Sequence, residues 1–222
     1  MPANLIIFEG GEGAGKTTLV RALYDHYVGV GVDVVMTREP GGSPGAETIR
    51  TLLKHPDSTT QHVPEAHLLL HYAARMNHVQ QTIVPALARG ALVICDRFEV
   101  SSYAYQVHAM GVSPDLFTTL HRSICDQLRA QLTQGVYVHC DIDAAAGLQR
   151  ARAQVGEASA ERAGDDAYDS LPIEFHESLR AGMLAAKQHI DATLFTHVHI
   201  DASQPAPAVQ AAAVAALAPF GW

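Results

Sequence analysis

The octet Gly10-Gly11-Glu12-Gly13-Ala14-Gly15-Lys16-Thr17 directly follows the apolar run Leu5-Ile6-Ile7-Phe8. A strand running into G-x-x-x-x-G-K-[ST] limits the fold sharply, because such a loop works only between the end of a strand and the start of a helix. Its glycines let the backbone N–H groups of residues 10–18, Thr18 included, curl around phosphate oxygens. Lys16 then reaches the outer phosphates, and the Thr17 hydroxyl is suited to ligate Mg2+. From Thr18 to Val28 the spacing is helical, so the positive N-terminal end of that helix faces the same anion.

Apolar, β-branched runs recur at Val32–Met36, Ala91–Cys95, Val136–Cys140 and His197–Ile200. Helical patterns separate them over Lys16–Val30, Gly45–Lys54, Pro64–Arg89, Ser113–Thr133, Ala144–Gln154, Pro172–Ile190 and Pro207–Ala218. Five strands alternating with helices predict an α/β fold with a parallel sheet flanked by helices, its strands covered on both faces. The strand ends at Glu9, Thr37, Asp96, Asp141 and Asp201 are expected on the edge where such sheets bind ligands. Between Gln154 and Leu171 the chain turns small and acidic (Gly156, Glu157, Ala158, Ser159, Gly164, Asp165, Asp166), which predicts a flexible lid over about residues 150–172.

At 222 residues, one domain over 1–222 needs no disulfide or metal staple. Cys95, Cys125 and Cys140 lack C-x-x-C spacing and are expected as reduced core residues. His67 and His71 stand at i, i+4 but have no obvious third metal ligand nearby. A net charge of −8 argues against a nucleic-acid polymer as partner, whereas a small anionic substrate requires only a local basic cluster. Twelve of the 15 basic residues are arginine, the side chain suited to bidentate phosphate recognition. No apolar run approaches the roughly 18 residues of a membrane span, and the N-terminus lacks a secretory pattern, so a cytoplasmic protein is expected.

Four further segments narrow the reading. They are Thr37-Arg38-Glu39-Pro40-Gly41-Gly42, then Arg50, then Tyr72-Ala73-Ala74-Arg75, and Asp96-Arg97-Phe98-Glu99-Val100-Ser101-Ser102-Tyr103-Ala104-Tyr105-Gln106. In this order behind the phosphate loop, the chain closely resembles the bacterial thymidylate kinases from Leu5 to about Arg152, and more weakly over Phe175 to Met183 and the C-terminal helix. The resemblance implies the three-layer P-loop kinase fold, transfer of the ATP γ-phosphoryl group to thymidine 5′-monophosphate (dTMP) with Mg2+, and a homodimer. Ala66 to Ala74 and the helix after Ser101 are candidate dimer surfaces.

Carried over residue by residue, the resemblance makes Lys16 and Arg97 catalytic and places Asp96 with Thr17 at the metal. Arg38, Arg50 and Arg97 offset the repulsion between the two anionic substrates, with Glu39 and Pro40 beside them. Arg75 contacts the thymine base, and Glu12 approaches the sugar 3′-hydroxyl. Ser101, Ser102 and Gln106 resemble base neighbours, and Tyr105 the aromatic that packs on the deoxyribose.

The chain departs from the family twice. Four residues before Arg75, where the family carries a phenylalanine that stacks on thymine, it has His71. In the lid it lacks the family's D-R-x-E and carries Arg150, Arg152 and Arg162, at least one of which is expected to close over the phosphates. The changed lid and His71 leave two other readings open: a related deoxynucleotide kinase of altered base preference, and a nucleotide-binding protein without turnover.

Overall fold

The computed structural model describes residues 4–55, 62–155, 168 and 171–221. Five parallel strands lie in the order β2-β3-β1-β4-β5. They are β1 (Leu5–Glu9), β2 (Val34–Arg38), β3 (Leu92–Asp96), β4 (Gly135–Asp141) and β5 (Phe195–Asp201). Alternate residues of a strand face opposite sides of a sheet, and both sides are apolar here. Leu5 and Ile7 join Val93, Cys95 and Tyr137 in one core, while Ile6 and Phe8 join Ile94, Val136 and Val138 in the other. The central strands are therefore continuously buried, as expected.

The edge strands are a correction to that expectation. Met36 of β2 is 43% exposed, and β5 is largely half-buried, because each has a neighbour on one side only. Strand β2 also starts two residues later than the apolar run suggests. Its register pairs Val34 with Leu92 and Arg38 with Asp96, so the strand ends at Arg38 rather than Thr37.

Helix α1 (Lys16–Gly29) packs under β1 and β3. Helix α2 (Pro44–Leu53) is capped by the Ser43 hydroxyl, which accepts from the Ala46 N–H. The long pattern from Pro64 is interrupted: α3 (Pro64–His78) passes through a π-helical turn (Val79–Ile83) into α4 (Val84–Ala88). Pro85 accounts for this, since it has no N–H and its ring crowds the carbonyl four residues earlier; one extra residue in the turn relieves both. The turn has a use, because Thr82 Oγ1 donates to the Gly42 carbonyl at 2.7 Å and ties the helix to the loop after β2.

After β3, α5 (Glu99–Ser102) and a π-helical stretch (Tyr103–Ala109) form a helix that apolar periodicity does not mark. It is enclosed against α8 (Ile173–Ala185), where Gly182 lies against Ala104 and His108. That burial removes it as an outer dimer surface. Helices α6 (Pro114–Leu128) and α8 are shorter than their patterns, α8 giving way to a 3-10 turn at Ala186–His189. Helix α7 (Ala144–Val155) follows β4, and α9 (Ala206–Leu217) packs on α1.

Three histidines, His67 and His139 buried and His197 half-buried, have pKa values pushed down to about 4 by burial. Protonating His139 also sets a cation against the His199 ring stacked 5.7 Å away. The unfolded chain binds protons at these positions near pH 6.5 and the folded chain does not. Their contribution is therefore complete above that pH and is lost as pH falls towards 4. Glu9, raised by burial, and His121, where Glu99 outweighs burial and raises the pKa, act in the opposite sense but are outnumbered. Thermal midpoints at pH 7.5, 6 and 5 should fall progressively; equal midpoints at 7.5 and 5 would sink this account.

Candidate active site

Strand β1 is central, and its two neighbours, β3 and β4, belong to successive halves of the chain, so the loop after β1 opens where the strand order reverses. Gly10 (φ 152°) passes so close to β4 that a Cβ would lie 2.3 Å from the Cys140 carbonyl oxygen. Gly13 (φ 67°) abuts Gly147 of α7 in the same way, with its Cβ position 1.9 Å from that residue's oxygen. Gly15 in the left-handed region starts α1, while Ala14 is buried and Thr18 exposed.

Lys16 Nζ donates to the Gly11 carbonyl at 2.7 Å, which holds its side chain across the loop. Burial lowers its pKa, aided by Arg97 and opposed by Glu12 and Asp96. Thr17 Oγ1 donates to Asp96 Oδ2 at 2.8 Å. A hydroxyl and a carboxylate at the mouth of a phosphate loop are the hard oxygen donors that Mg2+ takes, so this pair fits the metal.

Arg97 joins the loop to a neighbouring cleft. It is a non-glycine residue with φ 68°. Its Nη1 donates to the Gly10 carbonyl at 3.2 Å and to Ser101 Oγ at 3.1 Å, and Nη2 meets Glu12 Oε1 at 2.7 Å. Glu12 also accepts from the Tyr105 hydroxyl; burial works against its charge, but Arg97 and Lys16 outweigh it and lower its pKa. Beneath them Glu9, wholly buried, accepts from the N–H groups of Phe98 (2.8 Å) and Ser101 (3.1 Å) and from the Ser101 hydroxyl (2.6 Å). A strand-end carboxylate thus sets the start of α5, a role that the sequence reading did not assign.

The cleft is lined by Pro40, His71, Arg75, Ser102, Tyr105 and Gln106 among others. Arg75 is 2% exposed: Nε pairs with Glu39 Oε2 at 2.7 Å, and Nη2 donates to the Phe98 carbonyl and Ser102 Oγ, each at 3.0 Å. Its guanidinium also lies 4.6 Å over the Tyr72 ring, and Nη1 has no partner among the described residues. The other Glu39 oxygen meets His78 Nδ1 at 2.9 Å, and His78 Nε2 meets Thr37 Oγ1 at 2.7 Å. Glu39 therefore serves as the anchor of Arg75. His78 was absent from the sequence reading, where its place three residues after Arg75 was the available signal.

Arg50 donates from Nη1 to the Pro40 carbonyl and so supports the loop after β2, whereas Arg38 is exposed beside Glu47 at 3.8 Å. His71 is half-buried in the cleft wall; burial, with His67 and Arg75 close by, holds its pKa well below the usual histidine range. Leu53, Lys54, Phe98, His67 and Tyr168 also line the cleft and were not assigned to it from sequence; His67 was considered only as a metal ligand, and the Tyr168 ring stacks on Phe175 at 5.7 Å and meets Tyr105 edge-on at 4.8 Å.

Arg150 donates from both terminal nitrogens to the carbonyls of Ala202 and Ser203, so a phosphate contact by it requires releasing the loop after β5. Arg152 is exposed on α7. Arg162 and the acidic stretch from Gly156 to Asp169, Tyr168 excepted, lie outside the described residues. Asp141 at the end of β4 is taken bidentately by Arg180, at 2.6 and 2.8 Å, which lowers its pKa.

Known proteins match this arrangement. The family description "Thymidylate kinase" covers residues 8–212. A thymidylate kinase of Caulobacter vibrioides is 44% identical over 179 residues, spanning 81% of this chain and 80% of that protein. One of Cereibacter sphaeroides is 41% identical over 213 residues, spanning 96% and 93%. The crystal structure of thymidylate kinase from Ehrlichia chaffeensis superposes with a TM-score of 0.69 at 25% identity, covering 98% of this chain and 99% of that one. With a phosphate loop and an arginine-lined cleft joined through Arg97, and relatives matched over nearly its whole length, this chain belongs to the thymidylate kinase family.

Proposed function

We propose that this enzyme transfers the γ-phosphoryl group of ATP to dTMP, giving dTDP and ADP. One observation carries the reading: Arg97 belongs to both sites, bonded to Gly10 and Glu12 of the phosphate loop and to Ser101 of the cleft. A cation at that junction lies where two anionic substrates must be brought together. Phosphoryl transfer needs little covalent help, so in-line positioning and charge neutralisation supply the catalysis.

The phosphate loop and Lys16 take ATP, while Arg97, with Arg38 at the end of β2 and Arg50 on α2, holds the acceptor phosphate. Arg75 offers Nη1–H to a base carbonyl, and Ser101, Ser102, Tyr105 and Gln106 enclose the nucleoside. Ionised Glu12 faces the sugar hydroxyl. Mg2+, held through Thr17 and Asp96, would offset charge between the phosphates. Arg152 supplies the further lid cation. The enzyme acts in the cytoplasm as a homodimer through the outer face of α3, where Leu69 is 48% exposed. Among the described residues no helix is long and apolar enough to cross a membrane.

The test is ADP release with Mg-ATP and dTMP, dUMP, dGMP, dCMP, UMP or AMP in parallel. Strong preference for dTMP is expected; preference for another monophosphate, or no turnover, would replace this reading. His71, kept neutral by burial, stacks on the base. His71→Phe should leave the KM for dTMP unchanged or lower it, and a rise of about tenfold, roughly 1.4 kcal/mol, would reject stacking.

A further inference from the structure

A second group of side chains in the cleft does not touch the phosphate loop. His67 Nδ1 meets Gln106 Nε2 at 3.2 Å and the Tyr168 hydroxyl at 3.5 Å. His67 and Gln106 are 2% and 1% exposed, both line the cleft, and Gln106 Oε1 and His67 Nε2 have no partner among the described residues. Buried polar atoms without partners are costly unless a ligand completes them.

The pairing gives the amide a direction. A glutamine side chain turned by 180° exchanges an acceptor for a donor, and from the cleft these are opposite signals. With Nδ1 as a lone-pair acceptor, shared by the Gln106 amide and the Tyr168 hydroxyl, the amide nitrogen is drawn to His67. The carbonyl is then left facing the cleft, and the ring's single hydrogen goes to Nε2. Arg75 Nη1 adds a donor that cannot become an acceptor.

On the reading of this cleft as the acceptor-nucleotide site, we propose that His67 is a positioning residue for base specificity. By accepting the Gln106 amide through Nδ1 it presents the Gln106 carbonyl to the base. A carbonyl there accepts a ring N–H, as in the imide of a thymine or uracil base, and repels the bare ring nitrogen of a cytosine base. Without His67 the amide is free to turn and offer its NH2 to that nitrogen.

The experiment compares wild-type enzyme, His67→Leu and His67→Glu with dTMP and dCMP under saturating Mg-ATP, with thermal midpoints and the KM for ATP as controls. In His67→Leu the KM for dTMP rises about tenfold and the dTMP-to-dCMP ratio of kcat/KM falls at least about tenfold, as for loss of an oriented buried hydrogen bond. The kcat for dTMP and the KM for ATP stay within about twofold. His67→Glu, which when ionised can only accept, keeps the amide directed above the pH at which its carboxylate protonates and there retains most of the ratio. A ratio within about twofold of wild type in His67→Leu overturns the proposal, as does an equal loss in His67→Glu. Should neither variant fold, nitrogen NMR of wild-type enzyme labelled at histidine decides: a His67 ring protonated at Nε2 supports the proposal, and one protonated at Nδ1 overturns it. Failure of the acceptor-site reading itself would look different, as wild-type enzyme that does not phosphorylate dTMP at all.

Discussion

Arg97→Ala is expected to lower kcat for dTMP phosphorylation by about 10³-fold, the lower end of what a charge-neutralising arginine contributes to phosphoryl transfer. Burial works against the charge of Arg97, but Tyr105, Glu12, Glu9 and Asp96 outweigh it and raise its pKa, so it is a cation at any working pH. Removing it also leaves Glu12 beside the phosphates without its 2.7 Å partner, which adds repulsion at the point of transfer. Backbone and side chain can be separated here. The φ of 68° is unfavourable for any residue with a Cβ, so Arg97→Gly should be more stable than Arg97→Ala by about 1 kcal/mol. Both should be equally inactive. Single-turnover rates and urea midpoints for the two variants test this, and an alanine variant within tenfold of wild type would remove Arg97 from the catalytic account.

Lys16→Ala should cost about 10²- to 10³-fold in kcat, the scale of losing one donor directed at developing charge. The thermal midpoint should hardly move, because the one bond lost, from Nζ to the Gly11 carbonyl, joins the loop to itself. Lys16→Arg should not rescue: the planar guanidinium is bulkier than a compact ammonium, and the loop is closed on two sides by Cys140 and Gly147. Full activity in Lys16→Arg would show that charge alone matters at this position.

The frame of the fold was readable because its signals are local. Leu5–Phe8, Ala91–Cys95 and Val136–Cys140 are apolar runs of strand length, and the glycine pattern after the first has one structural use. What escaped depends on distant partners. Glu9 reads as a strand end, yet its function lies in hydrogen bonds to residues about ninety positions away. Glu39 reads as a substrate ligand beside Pro40, but Arg75 and His78 claim its two oxygens. The helix from Glu99 to Ala109 entered only through the family resemblance, because residues Tyr103–Val107 are buried on every side and show no 3.6-residue stripe. Arg150 carries the right charge for a lid arginine, and only the fold reveals two carbonyls already occupying it.

The chain Thr37–His78–Glu39–Arg75, reinforced by Thr82 on Gly42, joins the loop after β2 to one continuous helical rod. The walls of the nucleotide cleft are thereby already assembled before any ligand arrives, whereas Lys16 must give up Gly11 to meet a phosphate. Calorimetry of the two substrates should therefore contrast. The monophosphate enters a rigid receptor, orders little of the protein and needs no prior ATP, while the triphosphate carries the larger entropic penalty of rearrangement.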